Sequence, residues 1–293
     1  MTIRTGFARS TAAALICLAI GVSSAEAGVF SRGKAAAGPD GEAVVAEFDR
    51  ALSEQRLVDA GRILDAGLAA GLRDPRLMLR SGELHLARGR YEEAARSFGL
   101  AEQTQGLRAE ALQGRGVALA QLGRSREAAP LLREAVALDP SLWRAWNAVG
   151  VECDRRQDWI GAEQAYAEAL KAADGEAVIH NNRGYSRLLQ GRLAEAAADF
   201  VAALDRDPAL APARSNLRLA LALGGDYARA TTAAGRDQQA AVLNNAGFAA
   251  VMRGDLDSAE DLFQRAIEAK GAAYGRAYEN LAMVRALKAG GAP

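Results

Sequence analysis

Cysteine is nearly missing from this chain: Cys17 and Cys153 are the only two among 293 residues. No disulfide framework can staple the fold, so its stability must come from packing. Histidine is as scarce, with only His85 and His180. No histidine-cysteine cluster has the spacing of a metal site, and no glycine-rich loop has the form that cradles phosphates. Aromatic residues make up 5% of the chain, so alanine and leucine supply most of a composition that is half hydrophobic. Lysine is confined to Lys34, Lys171, Lys270 and Lys288, an imbalance against arginine that reflects genomic bias rather than function. The 36 basic and 36 acidic residues cancel. Without a basic stripe and interleaved aromatics, nucleic acid is not an expected partner.

Long apolar runs are scarce as well. The run at residues 11–22 falls well short of the roughly 20 residues that a spanning helix needs. It follows Arg4 and Arg9 and precedes the small-residue pattern SSAEA at residues 23–27, with Ala25 and Ala27 in the deciding places. That order describes a cleaved export leader, residues 1–27, and a periplasmic destination in a Gram-negative bacterium. A lipid anchor on Cys17 is the alternative, but Ile16 before it is larger than such a site accepts. Residues 28–40 are poor in large apolar groups and read as a flexible tether.

What the chain does have is a period. Gly89, Gly123, Gln157, Gly191 and Gly225 stand 34 residues apart, and each is followed five residues later by an alanine: Ala94, Ala128, Ala162, Ala196 and Ala230. Seven residues upstream, Gly82, Gly116, Gly150 and Gly184 keep the register, and Arg218 departs from it. A fixed period of this size means stacked helical hairpins, each too small to bury its apolar face alone. A weaker unit of 34 places begins at Gly41, full ones begin at Pro75, Ala109, Trp143 and Ala177, and another begins at Ala211. A short step leads to a unit at Ala240, and residues 275–290 form a closing helix.

The grid has a physical reason. Small residues at places 8 and 20 let two helices approach, and large ones at places 4, 7, 11, 17 and 24 fill the remaining space. Glycine at place 15 ends the first helix in the left-handed conformation. Asp139-Pro140 and Asp207-Pro208 stop second helices. The unit at Ala211 lasts only 29 residues, and Thr231 and Thr232 fall inside its second helix. That helix should therefore be short, ending at Gly235, with a bend or joint over residues 233–239; a harmless deletion in a surface turn is the alternative.

The motif WNAVG at residues 146–150 and the run LAEAAADFVAAL at residues 193–204 resemble the tetratricopeptide repeat family. The resemblance covers about residues 41–290. It implies an all-α, right-handed solenoid of about seven hairpins plus a C-terminal capping helix. It also implies a non-catalytic scaffold that binds proteins or peptides in a groove lined by the first helices.

Place 6 carries asparagine at Asn182, Asn216, Asn245 and Asn280, and place 5 adds Asn147, Asn181 and Asn244. A carboxamide both donates and accepts, so such a row can pair with an extended peptide backbone without reading its sequence. Bonding to the neighbouring helix is the competing role. Place 9, where some family members use asparagine in a carboxylate clamp, reads Val117, Val151, Tyr185, Leu219 and Phe248. The expected groove is one of amides and rings, most charged around Arg144, Asp154 and Arg155.

Catalysis finds no support in the residues, and no cofactor or metal is expected. His85, His180 and Cys153 fall at places 11, 4 and 11, where packed side chains are expected. Glu92, Glu93 and Arg96 have the spacing of surface ion pairs. The segments NNRGYS at 181–186, NLRLALA at 216–222 and NNAGF at 244–248 resemble the TadD-type proteins of tight-adherence (Flp) pilus loci. That narrower resemblance implies an exported adaptor that assists a pilus secretion machine near its secretin or pilot components. An adaptor of another envelope machine, serving polysaccharide export or outer-membrane protein assembly, is the alternative.

Overall fold

The structure, a computed structural model, describes residues 39–232, 235–270 and 274–290. The leader, the Cys17 alternative and the tether up to residue 38 lie outside them. The chain divides between Ile179 and His180 into two compact units. The first contains α1 (Pro39–Ser53), α2 (Leu57–Ala69), α3 (Arg76–Ala87), α4 (Tyr91–Ala101), α5 (Arg108–Gln121), α6 (Ser125–Leu138), α7 (Trp143–Arg155) and α8 (Trp159–Ala172). Helix α9 (Ala177–Leu189) leads into the second. There follow α10 (Leu193–Arg206), α11 (Ala211–Gly224), α12 (Tyr227–Thr231), α13 (Arg236–Arg253), α14 (Leu256–Lys270) and α15 (Gly275–Lys288). No strand occurs among the described residues.

Consecutive helices pair as hairpins, and first helices also touch one another. In the first unit α1, α3, α5 and α7 form such a row; in the second, α11, α13 and α15 do. The small-residue grid explains how the hairpins close. A Cβ on Gly82 would stand 2.7 Å from the Phe98 ring, and one on Gly150 would stand 2.7 Å from the Tyr166 ring. Gly184 and Gly247 meet Phe200 and Phe263 in the same way. These four rings are fully buried, and burying each contributes about 1.5–3 kcal/mol. The glycine at place 8 is therefore the socket for the ring at place 24.

First helices end where place 15 turns left-handed. Gly89, Gly123, Gly191, Gly225 and Gly254 have φ between 69° and 90°. Gln157 (φ 59°) and Gln55 (φ 56°) take the same conformation with a side chain attached. Gln55 thus marks the end of α1 by the same device as the later units. Helix α1 begins at Pro39, two residues inside the expected tether, because proline at a first helical turn forfeits no intrahelical donor.

The short unit is realised as five residues of α12. Thr231 Oγ1 donates to Tyr227 O at 2.8 Å and Thr232 Oγ1 to Ala228 O at 2.7 Å, so both hydroxyls compete for the carbonyls of the preceding turn. Thr232 then leaves the helix at ψ 151°. Helix α13 starts at Arg236, four residues before the expected Ala240, with Gly235 extended at its N-cap. Residues 238 and 239 of the expected joint are helical, their amides donating to Gly235 O; residues 233 and 234 lie outside the described residues.

Candidate functional site

At about 100° per residue, place 6 lies roughly 160° round a first helix from place 8, and place 9 about 100°. Since place 8 faces the second helix, place 6 faces away from it. That inner face carries the candidate residues.

In the second unit the asparagines are brought together in two groups. Asn216 Nδ2 donates to Asn181 Oδ1 at 3.2 Å, and Asn181 Nδ2 donates to Asn182 Oδ1 at 3.1 Å. Asn280 Nδ2 donates to Asn244 Oδ1 at 2.9 Å. A place-6 carboxamide therefore bonds to the place-5 carboxamide of the preceding first helix and ties the two together. Asn181, Asn182, Asn216 and Asn244 are buried in this seam. Asn245 is exposed, and Asn280, Tyr185 and Phe248 are half-buried. These last four are the candidates of the second unit that keep solvent exposure.

The first unit holds the remaining candidates and a different chemistry. Asn147 is buried. Gln113 Oε1 accepts from the Ala145 amide at 3.0 Å, joining α5 to α7 as the carboxamides join helices in the second unit. The Arg144 guanidinium lies 4.8 Å over the Trp143 ring. Arg155 Nη1 donates to Glu152 Oε1 at 2.5 Å and to Ala120 O and Ser125 Oγ at 3.2 Å. Its guanidinium thus links α7 to the α5–α6 turn.

Two charged clusters were not singled out from the sequence. In the first unit, buried Arg80 pairs with Asp49 at 2.6 Å and with Glu83 at 3.1 Å. Burial pushes the carboxyls of Asp49, Glu83 and Glu110 above the usual range, against the pull of Arg80. Asp49, Arg80, Glu83 and Glu110 occupy places 9, 6, 9 and 2 of their units, so the register that exposes the asparagine row would have found them. In the second unit, buried Asp199 on α10 accepts from Arg183 at 2.6 Å and Arg187 at 2.8 Å, with His180 Nδ1 at 3.9 Å. Burial alone would raise its carboxyl; the nearby His180, the hydrogen bonds from Arg183 and the charges of the two arginines outweigh it and hold the carboxyl low. The signal was arginine at places 7 and 11, where large apolar residues are expected.

His85, on α3, is half-buried, and loss of hydration lowers its pKa. Cys153, on α7, is a buried free thiol that burial pushes up, the environment of an inert cysteine.

Comparison with known proteins agrees with this architecture. The tetratricopeptide repeat family matches the sequence over residues 45–107, 114–177 and 150–211. No curated protein matches it. Among solved structures, a tetratricopeptide repeat protein from Parabacteroides merdae aligns with a TM-score of 0.51 at 17% identity, over 85% of this chain and 100% of its own. The APC/C hetero-tetramer Cut9–Hcn1 aligns with a TM-score of 0.58 at 16% identity, over 76% of this chain and 45% of that one. PilW, a widely conserved type IV pilus biogenesis factor, aligns with a TM-score of 0.55 at 17% identity, over 85% of this chain and 100% of its own.

Proposed function

The chain belongs to the tetratricopeptide repeat family, and on that premise we propose that it is an exported, non-catalytic scaffold that captures a protein or peptide on its inner face and assists assembly of a tight-adherence pilus secretion machine. The observation that carries the binding reading is the division of labour within the asparagine row. Buried members hold successive first helices together, and Asn245, with half-buried Asn280, Phe248 and Tyr185, presents amides and rings. Amides answer a backbone donor or acceptor, and half-buried rings supply apolar area at small entropic cost. Export rests on the leader pattern at residues 1–27. The pilus assignment rests on the resemblance of residues 181–186, 216–222 and 244–248 to TadD-type proteins. Its parallel is PilW, a pilus biogenesis factor that shares the fold; a shared fold by itself assigns no function.

Photo-crosslinking residues placed at Asn245 and Phe248, with Arg96 on α4 as an outer-face control, test this in the native bacterium. The expected result is an adduct with a pilus secretin or pilot component from the inner-face positions alone. Capture of a different envelope machine would retain the scaffold and overturn the pilus role. Equal labelling from Arg96 would overturn the inner face as the binding site.

A further inference from the structure

The inner faces of the two units differ in kind. Places 6, 9 and 13 follow one another at steps of three and four residues, so they form one ridge along each first helix. In the second unit that ridge has a fixed chemistry. Beyond the asparagine at place 6, place 9 is Tyr185, Leu219, Phe248 or Met283, and place 13 is Leu189, Leu223, Met252 or Leu287. None of these places carries a charge on α9, α11, α13 or α15. The first unit instead has Asp49 and Glu83 at place 9 and Gln121 and Arg155 at place 13. The core does not consume the two apolar rows. Leu189 is 43% exposed and Met252 58%, and the other six side chains are half-buried.

We infer that this strip seats an amphipathic helix of a partner protein, lying across the first helices of the second unit with an uncharged aliphatic face inward. Such a seat rests on the capture role proposed for this face and specifies the segment captured. The backbone decides between a helix and an extended peptide. An extended segment must find partners for its N–H and C=O groups. The carboxamides of Asn181, Asn182, Asn216 and Asn244 are buried and bonded within the seam, which leaves Asn245 as the one exposed member of the row. A helix bonds its own backbone and brings only side chains to the strip. The dimensions agree. Places 9 and 13 stand about 6 Å apart along a first helix, which with their side chains gives the width of one helix, about 10–12 Å. Four first helices about 8–10 Å apart make a strip about 24–30 Å long, the length of about 16–20 helical residues. An inward charge on the partner would lose its hydration against these rows without gaining a counter-ion. Its inner face is therefore aliphatic at the spacing i, i+3, i+4, i+7, and the unbranched Met252 and Met283 adapt to such side chains.

A photo-reactive phenylalanine analogue placed at Leu189, at Met252 or at Asn245 tests the seat in the native bacterium. Leu189 and Met252 lie two first-helix steps apart, about 16–20 Å. The expected result is one partner protein attached from both positions, at residues about 11–13 apart in its sequence. A separation of about 5–6 residues is that of a strand and would overturn the helix. Adducts from Asn245 with none from Leu189 or Met252 would overturn the strip as the seat and leave capture by the inner face standing. No adduct from any of the three would overturn both. Attachment to a second copy of this chain would give the strip to self-association and overturn the seat as well. Independently, Met252→Glu should weaken capture of that partner at least tenfold at an unchanged urea midpoint, and Met252→Leu should retain it. Undiminished capture by Met252→Glu would refute the apolar seat.

Discussion

Gln157 carries a cost that its counterparts at place 15 avoid. Its φ of 59° lies in the left-handed region, where a Cβ crowds the following carbonyl by about 1–2 kcal/mol. Glycine escapes that crowding but gives back some backbone entropy. Gln157→Gly should therefore stabilise the protein by about 0.5–1 kcal/mol, visible as a higher urea midpoint at unchanged slope. Asp199 makes the opposite case. Asp199→Asn leaves Arg183 and Arg187 around a neutral amide and should cost about 3–5 kcal/mol at neutral pH. Because the folded carboxyl is held below its ordinary value, its contribution is complete above the ordinary aspartate range and fades as pH falls through the lowered one. Melting curves of wild type and variant should thus converge in acid. Of these two features only the first was legible in the sequence. The place-15 register is a local backbone requirement that repeats, whereas Asp199 gains its meaning from two arginines brought to it by the closing of α9 on α10.

Helix α6 contains Pro130 at an exposed position six residues in, where its ring removes the bond to the carbonyl four residues earlier. Pro130→Ala should stabilise by about 1–3 kcal/mol, since alanine is the best helix former and no packing is lost; thermal melting checks it. Helix α12 differs in kind. Five residues cannot support themselves as a helix, and two threonine hydroxyls drain its carbonyls. Its shortness was readable from the 29-residue step and the β-branched pair. The early start of α13 was not, because the glycine-and-alanine grid fixes where helices cross and says little about how far an N-terminus extends past the crossing. The carboxamide seam was hidden for a related reason. The asparagines could be placed on one face, but whether Asn216 would reach Asn181 or a ligand depends on the spacing of neighbouring first helices.

At the scale of the molecule, burial separates the structural members of the row from those to which the proposed capture role falls, and substitutions can separate the two roles too. Asn216→Ala removes the donor to Asn181 in a buried seam, leaving an acceptor without its bond, and should cost about 1–3 kcal/mol of stability. Asn245→Ala removes an exposed side chain and should leave stability within about 0.5 kcal/mol. If the inner face is the capture surface, Asn245→Ala nonetheless weakens binding of the crosslinked partner by about tenfold, equivalent to about 1.4 kcal/mol. Asn216→Ala weakens it only as far as it unfolds the second unit, so moderate cooling restores capture. The reverse pattern, with Asn245→Ala binding like wild type while Asn216→Ala loses capture in step with stability, would make the whole row structural. Stability and affinity measured on the same two variants therefore distinguish a scaffold that grips through this face from one that only holds itself together there.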